Sequence, residues 1–160
     1  MKLISKLKFV LTLHPKTIFL FIEAFLFLGW ARILKKMPFA KVAPSLGDHM
    51  HETSLRYMEQ NNERVKNISH AIHIMSKYTP WESQCLVKAI AGMKMLERRG
   101  IDSTLYLGTA RDEDGKMIAH AWLRSGPYYI SGAEGMGKFT VVSMFAKKKS
   151  KTQIEGESYE

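Results

Sequence analysis

Between Thr17 and Ala31 the chain is apolar on every side, reading IFLFIEAFLFLGWA after its first residue, with Glu23 near the middle. A membrane span needs about 20 apolar residues, and a charge at its centre is costly, so this run is short for one. A secretory signal needs a small-residue cleavage site, and Gly29-Trp30-Ala31-Arg32 is a poor one. The pattern predicts a buried or interfacial helix, with a membrane-anchored form as its rival. Pro38 and Pro44 break the helix, and Ser45-Leu46-Gly47 begins a loop. Residues 48–62 are polar and read as a connector with some helix. From Glu63 to Tyr78 the period is helical, with Val65, Ile68, Ile72 and Met75 on one side. Lys66, His70, His73 and Lys77 share the opposite side, which reads as solvated. A further helix is predicted from about Pro80. Thr79 and Glu82 have capping-box spacing, and Pro80 falls at the first helical position. Leu86, Ala89, Ile90, Met93 and Leu96 form its apolar stripe, and Arg98-Arg99-Gly100 ends it.

Beyond Gly100 the period changes to two. Thr104–Gly108 reads as a strand and Asp112–Gly115 as a turn into a strand over Met117–Arg124. Ser125-Gly126 is a second turn, followed by strands at Pro127–Ser131 and Phe139–Phe145. Helices first and an antiparallel meander after make an α+β domain. The expected organisation is a helical extension over 1–47, a core over 48–146 and a disordered tail over 147–160, where three consecutive lysines lead into Gly, Glu and Ser.

A chain of 160 residues, 46% hydrophobic and 24% charged, is long enough for one real core. A single cysteine excludes an internal disulfide and fits a reducing cytosol. The net charge of +9 suits an acidic partner or an anionic membrane surface. Its lysines and arginines are spread along the chain without a zinc-finger or RNA-binding signature, so no nucleic-acid partner is expected. No phosphate-cradling glycine loop or dinucleotide fingerprint occurs, so no cofactor is expected. His49-x-His51 and His70-x-x-His73 lack a carboxylate or second cysteine to complete a metal set, and no metal is expected.

The chemistry-bearing stretch is Thr79-Pro80-Trp81-Glu82-Ser83-Gln84-Cys85-Leu86, which holds the one cysteine near a helix start. The positive end of a helix dipole favours a thiolate, the nucleophilic form, although a free cysteine is most often a small buried hydrophobe. Further on, Ala119-His120-Ala121-Trp122 lies in a strand. Alternation sets Ile118, His120 and Trp122 on one face, with Met117, Ala119, Ala121 and Leu123 on the other. A helix-borne cysteine followed by a strand-borne histidine is the order of papain-like and transglutaminase-like enzymes. There the imidazole takes the thiol proton and later protonates the leaving amine. Gln84 and the Cys85 N–H are candidate oxyanion donors, and Trp81 and Trp122 are core or pocket walls.

Pro80-Trp81, Cys85-Leu86, Arg98-Arg99-Gly100-Ile101, Leu105-Tyr106-Leu107-Gly108 and Ala119-His120-Ala121-Trp122, in this order, resemble the lasso-peptide leader peptidases. These are small bacterial cysteine proteases of the transglutaminase-like superfamily. The helix with Glu23-Ala24 ending in Arg32, then Pro38-Phe39, is similar to the start of the same family, and the likeness spans roughly residues 15–146. The resemblance implies a transglutaminase/papain-like core that cuts the leader from a ribosomally made precursor peptide. It also implies two partners, a separate leader-binding protein and a lasso cyclase, because the first 78 residues read as helices of the protease itself. The expected location is the cytoplasm, with peripheral membrane contact through residues 17–34 as an added prospect. Two other readings stay open: a transglutaminase-like amidase or acyltransferase, and a non-catalytic peptide-binding assembly protein.

The family is expected to carry an acid on the strand after the histidine, and here the sequence departs from it. A two-residue turn at Ser125-Gly126 pairs Arg124 with Pro127, and so His120 with Ser131; a loop one residue longer brings up Gly132. Neither is an acid. Three orienting groups remain: Glu134 reaching back from the loop, Ser131, or a backbone carbonyl. A weakly catalytic site is the remaining alternative.

Overall fold

A computed structural model describes residues 13–56 and 58–149. Helix α1 (Pro15–Lys35) opens with Pro15 at its first position and His14 as N-cap, whose Nδ1 accepts from the Lys16 N–H at 3.3 Å. It buries Ala24, Leu28 and Ala31, a stripe that lets it approach its neighbours closely. Glu23, the acid that interrupts the apolar run, has a definite partner. Arg99 grips it with two nitrogens at 2.6 and 2.9 Å, and Arg98 reaches it at 3.0 Å. The hydrogen bond to this carboxylate, outweighing partial burial, holds the Arg99 guanidinium still more firmly protonated.

After Pro38 come a single-turn helix α2 (Phe39–Val42), a 3₁₀ turn (Ala43–Leu46) and a two-residue strand β1 (Asp48–His49) that the polar sequence gives no sign of. Helix α3 (Glu59–Met75) starts four residues before its periodicity becomes clear and buries Val65, Ile68, Ala71 and Ile72. Helix α4 (Cys85–Glu97) is buried almost all round, by Val87, Ala89, Ile90, Ala91, Gly92, Met93, Met95 and Leu96, because α1, α3 and the sheet surround it. A Cβ on Gly92 would come within 2.9 Å of Leu123 Cδ2, so glycine sets how closely helix and sheet meet. Residues from α1, α3, α4 and the sheet share one core.

The sheet contains β2 (Ser103–Arg111), β3 (Met117–Ser125), β4 (Tyr128–Ser131) and β5 (Thr140–Lys147), in the order β1-β5-β2-β3-β4 and antiparallel throughout. The fold class is α+β, with the helices ahead of the sheet. The expected meander holds only for β2, β3 and β4. Strand β5 crosses back to the free side of β2, where Phe145 and Ala146 lie opposite Leu105 and Thr104, and Phe145 enters the common core. Phe145 also packs on Phe39 at 6.0 Å and His49 at 5.1 Å between ring centroids, which ties the N-terminal segment to this edge. Lys147 ends β5 and pairs with Glu97 at 3.0 Å, so the sheet runs one residue into the segment expected to be tail. The rest of that expectation, from residue 150 on, lies outside the described residues.

One register difference bears on the site. The β3–β4 turn is Gly126-Pro127, with Ser125 opposite Tyr128, and a bulge follows so that Ser131 lies opposite Leu123 rather than His120. Arg124 explains the shift of the turn. Its guanidinium donates to Gly126 O at 2.7 Å, Thr53 O at 3.0 Å and the Tyr106 hydroxyl at 2.9 Å, and Tyr106 in turn donates to Glu52. Burial, then the hydrogen bond to Glu52, raises the Tyr106 phenol above its ordinary range. A buried arginine satisfied in this way fixes the end of β3 on the face away from α4.

Candidate active site

Cys85 is the first residue of α4, half-buried, with Gln84 as N-cap at φ −84°, ψ −169°. The helix therefore starts five residues later than the capping-box spacing predicts, because both capping groups are used elsewhere. The Thr79 hydroxyl lies 2.8 Å from Ser83 Oγ and 3.0 Å from Trp81 O. The Glu82 carboxylate takes Lys35 at 2.7 Å and Arg32 at 3.8 Å from the last turn of α1. The Lys35 hydrogen bond is the main cause that holds Glu82 below the usual carboxylate range. Trp81 packs over Gly29, where a Cβ would meet its ring at 3.1 Å, and beside Phe25 at 5.1 Å. Residues 79–83 are thus folded on themselves and bound to α1, which sets Cys85 at the helix end. The N–H groups of Cys85 and Leu86 find no acceptor among the described residues and are free donors beside the thiol.

His120 sits on β3 opposite Gly108. Phe139 stacks on its ring at 4.9 Å, and Trp122 lies at 5.9 Å. A Cβ on Gly108 would come within 2.9 Å of the Trp122 ring and 3.0 Å of Phe139, so glycine makes room for both. His120 Nε2 is 2.7 Å from the carbonyl oxygen of Gly132. A carbonyl only accepts, so Nε2 carries the hydrogen and Nδ1 keeps its lone pair. Gly132 has φ +75°, and a Cβ there would lie 2.3 Å from Ala121 O and 2.9 Å from Trp122 Cα. Only glycine brings a carbonyl to this place.

Cys85 and His120 line one cleft of about 570 Å³, between α3, the start of α4 and the segment from β4 to Glu134. The transglutaminase-like superfamily pattern matches residues 33–144, from within α1 into β5, and takes in both of these residues. The chain belongs to this superfamily. Transglutaminase-like proteins are often cysteine proteases or acyltransferases. No curated protein and no solved structure matches the chain.

The other predicted site residues of this transglutaminase-like domain fall in different places. Of the three orienting groups left open by the sequence, the one bonded to His120 is a backbone carbonyl, that of Gly132. Glu134 is exposed at the cleft wall and makes no hydrogen bond to His120. Ser131 also lines the cleft, with its hydroxyl oxygen buried and without a partner among the described residues, but the bulge sets it opposite Leu123. Gln84 is exposed and outside the cleft lining. Trp81 is a wedge against α1 rather than a pocket wall, and Trp122 lies behind His120, stacked on Tyr106 at 5.6 Å. Among the described residues no group of three His, Cys, Asp or Glu is placed to hold a metal ion.

Part of the cleft has no distinct signal in the sequence. Lys66, His70 and His73, assigned to a solvated face, form its α3 wall, joined there by Ser69 and by Lys88 from α4. Lys66, His70 and His73 are exposed, and periodicity cannot separate a polar cleft wall from a face in open solvent. The sequence marks Phe139 only as the start of a strand; its place over His120 depends on the crossing of β5 back to β2.

Proposed function

We propose that this protein is a cysteine peptidase that removes the leader from a ribosomally made lasso precursor peptide, with Cys85 as nucleophile and His120 as general base and acid. What supports this reading is that a thiol at the first residue of a helix and an imidazole whose Nε2–H is held by Gly132 O line the same cleft. In the first step Nδ1 of His120 takes the thiol proton and sulfur attacks the scissile carbonyl carbon. The free N–H groups of Cys85 and Leu86 receive the negative charge that develops on the carbonyl oxygen. The tetrahedral intermediate collapses, the C–N bond breaks, and His120 passes its proton to the departing amine of the core peptide. Water, deprotonated by the same imidazole, then cleaves the thioester, releases the leader carboxylate and restores the thiol.

The orienting carbonyl is neutral. It fixes the tautomer, which is the costlier part to lose, but it stabilises the imidazolium less than a carboxylate does. A slower enzyme than one with a charged third member is the expected consequence. The same missing charge favours the non-catalytic peptide-binding reading, and a thioester intermediate equally serves an amidase or acyltransferase. Leader recognition falls to a separate leader-binding protein, and a cyclase takes up the freed core. Both assignments rest on the resemblance to leader peptidases.

Mass spectrometry of the products separates these readings. With precursor and leader-binding protein present, the expected products are a leader ending in a free carboxylate and a core with a free N-terminal amine. Cleavage without the leader-binding protein is expected to be at least about tenfold slower. Transfer of the acyl group to an added amine in place of water identifies an acyltransferase, and no turnover of any precursor supports the binding protein.

A further inference from the structure

The stripe of α1 opposite its buried one is built of large apolar side chains and left bare. Phe19, Ile22, Leu26 and Ile33 repeat at spacings of three, four and seven, and are 72%, 51%, 65% and 64% exposed. Only 17% of the most apolar stretch of this helix is buried, whereas the core helix of a soluble protein is mostly buried. The one acid in the helix, Glu23, is turned to Arg98 and Arg99, so it does not oppose this face. Lys16 at one end and Lys36 and Lys41 past the other are exposed and, among the described residues, free of ion pairs. An apolar stripe between cationic ends, on a chain of net charge +9, is complementary to an anionic lipid surface, where lysine stems lie on the acyl boundary and their ammonium groups meet the headgroups.

We propose that α1 lies in the plane of an anionic membrane surface, with Phe19, Ile22, Leu26 and Ile33 inserted at the headgroup boundary, and holds the protein there as a peripheral protein. The helix that forms is longer than the apolar run, and its 21 residues are by length and composition enough to cross a bilayer, but in this proposal it lies on the surface. Its other face packs on α3 and α4 and carries the Glu23 ion pairs, and spanning would strip these away. The cleft is lined by α3, α4 and the β4 region and not by the outer face of α1, so the docking surface and the candidate active site are separate.

The test is flotation of the full-length protein with vesicles of pure phosphatidylcholine and with vesicles that also contain phosphatidylglycerol. Binding to the anionic vesicles at least about tenfold stronger than to the neutral ones is expected, weakening as salt rises. The Phe19→Ser, Leu26→Ser double variant changes only exposed residues. With an unchanged circular dichroism spectrum, it is expected to lose about tenfold or more of this binding. Absence of binding to either vesicle overturns the proposal. So does full binding by the double variant, which assigns the attachment to another part of the chain. A dimer seen by sedimentation without lipid and lost in the double variant, with no vesicle binding, assigns the face to a second copy and overturns it as well.

Discussion

Replacing Cys85 with alanine is expected to abolish cleavage of the precursor, by about 10⁴-fold or more, while leaving the fold intact. The side chain is half-buried and its Cβ is kept, so the stability change is expected to stay within about 1 kcal/mol. No second thiol exists to take over, since the chain has a single cysteine. His120→Ala is expected to cause a loss of similar size, because base, acid and water activator are one imidazole. Cleavage rates and a thermal melt of each variant check this. Undiminished cleavage by Cys85→Ala removes the cysteine-peptidase reading.

The second large effect is expected at Gly132. Alanine there cannot take φ +75° without strain, and its Cβ would run into Ala121 O at 2.3 Å, so the segment must shift. A loss of about 2–4 kcal/mol in stability is expected, together with a loss of about 10²-fold or more in kcat among molecules that remain folded, because the imidazole loses its tautomer lock. Glu134→Gln and Ser131→Ala separate orientation from general damage. Neither group bonds to His120, so each is expected to keep kcat within about threefold of the parent. A loss at Glu134→Gln as large as that at Gly132→Ala contradicts the carbonyl assignment and returns the third role to a carboxylate.

The α+β class, and the placement of Cys85 near a helix start and of His120 on a strand, are legible in the sequence because they rest on local signals. The periods of 3.6 and 2 switch near Gly100, and Cys85 and His120 are distinctive residue types on recognisable elements. The helix starts at Cys85, and not at Pro80, for a non-local reason: Glu82 has the spacing of a cap but is taken by Lys35, 47 residues away. The orienting group is not legible because it depends on the turn falling at Gly126-Pro127 and on the bulge between Leu123 and Arg124, and a one-residue change of register exchanges which face every later residue occupies. A backbone carbonyl also has no residue type to signal it. What betrays it is the glycine at 132, and only once the contact with Ala121 O is known. The polar wall of α3 reads as a solvated face in the sequence because a cleft and open water select the same residues.

The central claim is that Cys85 forms a thioester with the leader, through an imidazole held by Gly132 O. Acid-quenched intact-mass spectrometry of the protein, taken during turnover of the precursor with its leader-binding protein, tests it directly. A transient adduct of the mass of the leader acyl group is predicted, located on Cys85 by peptide mapping and absent when the thiol is first alkylated with iodoacetamide, which also stops cleavage. Continued cleavage by the fully alkylated protein, with no adduct at any time, contradicts the account.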